Sequence, residues 1–134
     1  MAERDEAIER AADLIDERLA PAAILLFGSL ARGAAREASD VDFGVLLGRR
    51  PPEPLAIADL VAELEGLARR SVDLVVLDQA SPILCMEVLR SHRVLRRRDP
   101  EALEAFTART LLMYDDLKRV RAPIERALLG GADG

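Results

Sequence analysis

The stretch from residue 24 to residue 47 constrains the chain more than any other. An apolar run, Ile24-Leu25-Leu26-Phe27, stops at Gly28-Ser29. Ten residues then separate Ser29 from a second run, Asp40-Val41-Asp42-Phe43-Gly44-Val45-Leu46-Leu47. The first run predicts a buried strand over 22–27 that ends in a tight turn, with Ser29 placed to cap a short helix over 29–34. Such a junction presents free backbone N–H groups and the positive end of a helix dipole, which suits a phosphate. After a loop at 35–38, the second run predicts a strand over 40–47. Alternation puts Asp40 and Asp42 on one face and Val41, Phe43 and Val45 on the other, toward a core.

Neighbouring carboxylates on one face repel each other, which raises a pKa or destabilises the strand. A divalent cation removes the conflict. Mg²⁺ takes hard oxygen ligands and usually binds one or two carboxylates plus substrate phosphates. A phosphate cradle and a metal-binding pair therefore fall within one strand–turn–strand unit. Gly28-Ser29 alone is an ordinary turn, and Asp-x-Asp alone fits an exposed edge strand. Their combination, at this spacing and in this context, is what points to chemistry.

The rest of the chain supplies helices and two further strands. Ile8, Ala11, Ala12, Ile15 and Leu19 recur at helical spacing, predicting an amphipathic helix over 3–19 that Pro21 ends. Arg49-Arg50-Pro51-Pro52-Glu53-Pro54 is a connector, and Pro54 suits the first turn of a helix over 54–69. That helix has Ile57, Leu60, Val61, Leu64, Leu67 and Ala68 as its buried stripe. Residues 72–77 read as a third strand, with Asp73 and Val75 on one face and Val72, Leu74 and Val76 on the other. Paired beside 40–47, this strand brings Asp73 to Asp40 and Asp42, so that three carboxylates converge. Ser81-Pro82 opens a helix over 82–92 that packs Ile83, Leu84, Cys85 and Val88 inward. Residues 93–97 read as a short strand.

Asp99-Pro100-Glu101 starts the last helix, about 100–128. Leu103, Phe106, Thr110, Met113, Leu117, Val120, Ile124 and Ala127 form a heptad-like seam along it. The seam is longer than a small sheet needs, which leaves part of it for an interface with another chain, homo- or hetero-oligomeric. Pro123 is expected to kink or end the helix near Ala122. Helices interleaved with strands give an α/β (α+β) chain, a small mixed β-sheet with helices packed on it.

Composition narrows the function classes. At 134 residues the chain is expected to form one domain over 1–134. A formal net charge of −5 argues against a general nucleic-acid binder. One cysteine, Cys85, rules out an internal disulfide and points to a reducing compartment, the cytoplasm. The charged start, Met-Ala-Glu-Arg-Asp-Glu, does not read as a signal peptide, and no apolar run approaches the roughly 20 residues of a membrane span.

Other polar residues have weaker claims. Arg32 and Arg36 flank the expected triphosphate site, and arginine suits bidentate phosphate contact. A solvated helix face explains Arg32 equally well and Arg36 better. His92, the sole histidine, follows a helix and reads as a capping or solvated residue. Cys85 reads as a small core residue, and Asp78 as a turn residue after the third strand. Arg90, Arg93, Arg96, Arg97 and Arg98 read as solvated surface, with an acidic partner or nucleotide phosphates as the alternative.

The string GSLARG followed by SDVDFGV resembles the minimal nucleotidyltransferase (MNT, MntA-like antitoxin) family of the DNA polymerase β-type nucleotidyltransferase superfamily, over nearly the whole chain. The resemblance implies that Gly28 and Ser29 hold the triphosphate of ATP. It implies that Asp40 and Asp42 bind two Mg²⁺ ions, and that Asp73 is the third carboxylate, helping to deprotonate the attacking hydroxyl. It also implies an antitoxin that transfers AMP to a tyrosine of a HEPN-domain toxin, a helical ribonuclease. Two alternatives stand beside it. One is a non-catalytic antitoxin that covers the toxin through the C-terminal helix. The other is a small-molecule nucleotidyltransferase of the aminoglycoside-modifying kind, which usually carries a second domain.

Overall fold

A computed structural model of the chain describes residues 2–28, 31 and 40–129. Ser29, Arg32, Arg36 and the expected helix over 29–34 lie outside the described residues, apart from residue 31. The elements follow in the order α1 (Ala2–Leu19), β1 (Ala23–Phe27), β2 (Val41–Leu46), α2 (Pro54–Ala68) and β3 (Val72–Val76). A single 3-10 turn (Leu77–Gln79), α3 (Pro82–Arg90), β4 (His92–Arg97) and α4 (Pro100–Leu129) complete the chain.

The strands form a mixed sheet in the order β3-β2-β1-β4. β1 is antiparallel to both β2 and β4, and β2 is parallel to β3. The alternation read from the sequence decides what each face buries. Val41, Phe43 and Val45 of β2 join Ile24 and Leu26 of β1 and Val72 of β3 beneath Ile8, Ala11, Ala12 and Ile15 of α1 and Leu60 and Leu64 of α2. Leu25 and Leu46 point the other way, into a second core with Leu77, Cys85, Val88, Leu103 and Phe106. The sheet is thus sandwiched, with α1 and α2 on one face and α3 and α4 on the other.

Local chemistry fixes the connections. Ser81 caps α3, its hydroxyl accepting from the Leu84 N–H at 3.2 Å. Asp78 is more than the expected turn residue: its carboxylate accepts from the backbone N–H groups of Leu47 (2.7 Å) and Gly48 (2.9 Å), clamping the end of β2. Glu65 of α2 accepts from the Val72 N–H at 3.0 Å, where β3 begins.

Several expectations need correction. The third helix ends at Arg90, because residues from His92 onward pair with β1. Ile83 is 46% exposed, since it lies two residues, about 200° round the helix, from the buried Cys85. Leu67 is 39% exposed, lining a cleft of about 650 Å³ between the ends of α1 and α2. Arg96 and Arg98 are not free surface. Arg96 pairs with Glu9 (2.8 Å) and Asp13 (2.6 Å), and Arg98 with Asp16 (2.7 Å), tying β4 to α1. The last helix does not end near Ala122 but runs through Pro123 to Leu129. A proline costs a helix one hydrogen bond and some crowding, and here the helix continues past it for six residues. The seam splits: Leu103, Phe106 and Thr110 are buried, whereas Met113 is 46% exposed.

Candidate active site

The expected site residues gather at one end of the sheet. β1 ends at Phe27, and Gly28 turns the chain with φ +74°. That left-handed conformation is open to glycine at little cost. A side chain here would also push the Asp42 carboxylate aside: a Cβ on Gly28 would lie 3.3 Å from Asp42 Cγ and closer still to Oδ2. The turn and the carboxylate therefore touch, and Gly28 permits both the turn and the contact.

Register places the carboxylates. Asp42 stands opposite Phe27 on β1 and opposite Asp73 on β3. On the far side of β1, Phe27 stands opposite His92 of β4. Directly opposed residues point to the same face, so Asp73, Asp42, Phe27 and His92 make a transverse row across the sheet. It lies on the face covered by α3 and α4, since Leu25, Leu46 and Val75 on the same face join that core. The covering layer thins toward the row. Leu25 is fully buried, Phe27, Gly28 and Asp42 are half-buried, and Asp73 and His92 are exposed.

Burial and crowding act on Asp42 together. Burial raises its carboxyl above the ordinary value of 3.8, and the neighbouring carboxylates of Asp73 and then Asp40 raise it further. The repulsion expected from the sequence is therefore present. The convergence is looser than expected. β2 begins at Val41, so Asp40 precedes the pairing and stays exposed at the strand's mouth. Among the described residues, no three Asp, Glu, His or Cys side chains stand close enough to enclose a metal ion. The donors present are carboxylate oxygens, the type that suits a hard divalent cation rather than a soft one.

Sequence reasoning found the pairing of Asp73 but not the whole row. A solvated or capping histidine is expected at His92, and the side chain is both exposed and within 3.1 Å, through Nδ1, of the carbonyl oxygen of Leu89 at the end of α3. What that expectation misses is that His92 also opens β4. The signal was present in the two-residue alternation of His92 with Val94. Cys85 is a buried core residue as expected, its thiol pushed up by burial. Arg90 does not reach the row; it donates to the Tyr114 hydroxyl at 3.0 Å, and its guanidinium lies over that ring.

Comparison with known proteins shows the family and the fold. Residues 9–101 match the family described as polymerase beta, nucleotidyltransferase. The chain is 33% identical over 101 residues to protein adenylyltransferase MntA of Shewanella oneidensis, a match spanning 75% of this chain and 71% of that protein. It is 26% identical over 106 residues to the protein of the same name from Aphanizomenon flos-aquae, spanning 72% and 71%. Among solved structures it resembles a chain of a toxin–antitoxin crystallised with AMP-PNP, with a TM-score of 0.80 and 28% identity over 90% of this chain and 98% of that one. It likewise resembles a chain of a tri-AMPylated Shewanella oneidensis HEPN toxin in complex with MNT antitoxin, with a TM-score of 0.78, 25% identity, and coverage of 94% and 98%.

Proposed function

This chain belongs to the polymerase beta nucleotidyltransferase family, among the minimal nucleotidyltransferases related to MntA, and from that premise we propose that it transfers AMP from ATP to a tyrosine hydroxyl of a HEPN-type toxin, as the antitoxin of a toxin–antitoxin pair. The observation that carries the reading is the register of Asp42 with Asp73, beside a Gly28 turn that no larger residue could make without displacing the Asp42 carboxylate. The S. oneidensis relative is named a protein adenylyltransferase, and a similar structure holds an AMPylated HEPN toxin.

In this reading Asp42, with Asp40 and Asp73 beside it, would hold Mg²⁺ together with the nucleotide's phosphates, which complete a set of donors that the three carboxylates do not close by themselves. The fit rests on the crowding that raises Asp42, which a divalent cation would relieve. Bound Mg²⁺ supplies charge stabilisation to the entering and leaving oxygens of an in-line displacement. The chain's own groups do the rest. The backbone at Gly28, with Ser29 and Arg32, receives the triphosphate. Asp73, exposed at the sheet edge, stands on the acceptor side and takes the proton of the attacking hydroxyl. The tyrosine oxygen bonds to the α-phosphorus as the bond to pyrophosphate breaks.

A second reading has one observation in its favour. Leu111, Leu112 and Met113 of α4 are 48%, 69% and 46% exposed, an apolar turn of the helix through which the chain could neutralise a toxin by holding it. One experiment separates the two. The HEPN partner is incubated with this chain, ATP and Mg²⁺, and its intact mass is measured beside an Asp40→Ala/Asp42→Ala control. A gain of one or more AMP units, absent in the control, is expected. A stable complex with no gain would favour the binding antitoxin.

A further inference from the structure

We propose that His92 contacts the leaving side of the nucleotide, binding the β- or γ-phosphate through Nε2. The inference rests on the adenylyl-transfer reading above and adds to it a residue that the family motif does not contain.

The argument begins with direction. In an in-line displacement the entering and leaving oxygens lie on opposite sides of the phosphorus. With the acceptor hydroxyl at Asp73 on the β3 edge, the leaving pyrophosphate extends away from β3, over Asp42 and the end of β1, toward β4. The row in that direction reads Asp73, Asp42, Phe27, His92. Phe27 is apolar, so among the described residues of this row the first side chain on the leaving side able to bond a phosphate is His92. Strands lie about 4.8 Å apart, which puts the backbone of His92 roughly 10 Å from that of Asp42. A triphosphate held at Asp42 and Gly28 spans that gap.

The state of the ring supports the assignment. A carbonyl oxygen only accepts, so the 3.1 Å contact to Leu89 makes Nδ1 the donor. This fixes the ring plane and leaves Nε2 for a ligand. The side chain is exposed, so nothing needs to move for a ligand to reach it. Phosphate oxygens accept, so the proposed bond runs from Nε2–H of His92 to the phosphate. The neighbouring arginines are directed elsewhere. Arg90 is engaged with Tyr114, and Arg93 stands opposite Leu26, whose side chain joins the α1/α2 core.

The chain holds one histidine, so its ring signal in a ¹H–¹³C NMR spectrum is His92 without further assignment. The protein is titrated with Mg²⁺ and α,β-methylene-ATP, which cannot be cleaved at the reacting bond, and separately with AMP, while calorimetry follows binding. Expected are a shift of the ring signal with the triphosphate and little with AMP. His92→Ala should weaken the analogue by about 10-fold or more while leaving AMP affinity unchanged, with a small fall in melting temperature from the lost bond to Leu89. His92→Lys, which supplies a cation, should restore part of the loss in analogue affinity. A ring shift as large with AMP as with the triphosphate would move His92 to the nucleoside side and overturn the proposal. So would tight analogue binding with an unmoved ring signal, which would leave adenylyl transfer standing. If the wild-type chain binds no Mg²⁺–nucleotide at all, the adenylyl-transfer reading itself fails and this proposal with it.

Discussion

Along β2, successive side chains enter two different surroundings. Val41, Phe43 and Val45 are 1%, 0% and 0% exposed, packed under α1 and α2. Between them, Asp42 faces the other side of the sheet, half-buried and crowded by Asp73 and Asp40. Gly44, next on that face, lies against Leu77, where a Cβ would come within 3.3 Å of the leucine methyls. One strand thus serves a face that is apolar along its whole length and a face that changes from apolar core at Gly44 and Leu46 to a carboxylate at Asp42. The difference shows where stability and chemistry are separable, and substitutions can test whether they are.

The largest effect belongs to the apolar face. Phe43→Ala empties a fully buried position in the α1/α2 core and should cost about 3–5 kcal/mol in chemical denaturation. AMP transfer by the fraction that remains folded should be little changed, because the row on the opposite face keeps its backbone. A loss of transfer well beyond the folded fraction would mean that the two faces are coupled.

Gly28→Ala strikes where the faces meet. It places a Cβ at φ +74° and into the Asp42 carboxylate. The left-handed conformation should cost roughly 1–2 kcal/mol. The displaced carboxylate should lower transfer by about 10²-fold, in line with a misplacement on the order of 1 Å. Transfer at the wild-type rate would show that the contact between turn and carboxylate is incidental. Asp78→Ala removes the acceptor from the Leu47 and Gly48 N–H groups. Because Asp78 is exposed, the loss should be about 1 kcal/mol, at the low end for such bonds. Transfer should survive, since Asp78 lies at the opposite end of β2 from Asp42.

How much of this was legible in the sequence follows the same division. Period-two alternation in β2 and β3 and the helical stripe of α1 specified the apolar face residue by residue, because burial leaves little choice of residue type. The Gly-Ser and Asp-x-Asp spacing specified the carboxylate end of the other face, because repelling carboxylates have few other uses. What escaped depended on contacts between distant segments. The clamp from Asp78 to the end of β2, the ion pairs of Arg96 and Arg98 with α1, and the alignment of His92 with Phe27 each depend on how segments far apart in the sequence come together, which no local pattern states. Ile83 and Leu67 were misread for a related reason: an apolar residue on a helix flank is buried only if a neighbour reaches it.

The smallest effect tests the comparison most directly, because its sign is opposite to the others. Asp42→Asn removes a charge that the fold disfavours, through burial first and then through Asp73 and Asp40. Like charges on facing strands are destabilising, and cross-strand pairs are worth roughly 0.2–1 kcal/mol, so the variant should be more stable than wild type by about that amount at neutral pH. The pH dependence follows from the sign of the shift. A carboxyl raised in the folded state binds its proton more tightly there than in the unfolded chain. Its contribution is fully present below the ordinary value of 3.8 and is lost as pH rises through the raised one. Asparagine does not titrate, so the stability gap between variant and wild type should be widest at neutral pH and should close on acidification. Denaturation midpoints at several pH values measure it. Mg²⁺ should act in the opposite direction, stabilising wild type more than the variant, while AMP transfer by the variant falls by orders of magnitude. A variant less stable than wild type at neutral pH would mean that Asp42 holds the fold together as Phe43 does, and that the two faces of β2 are not divided between stability and chemistry.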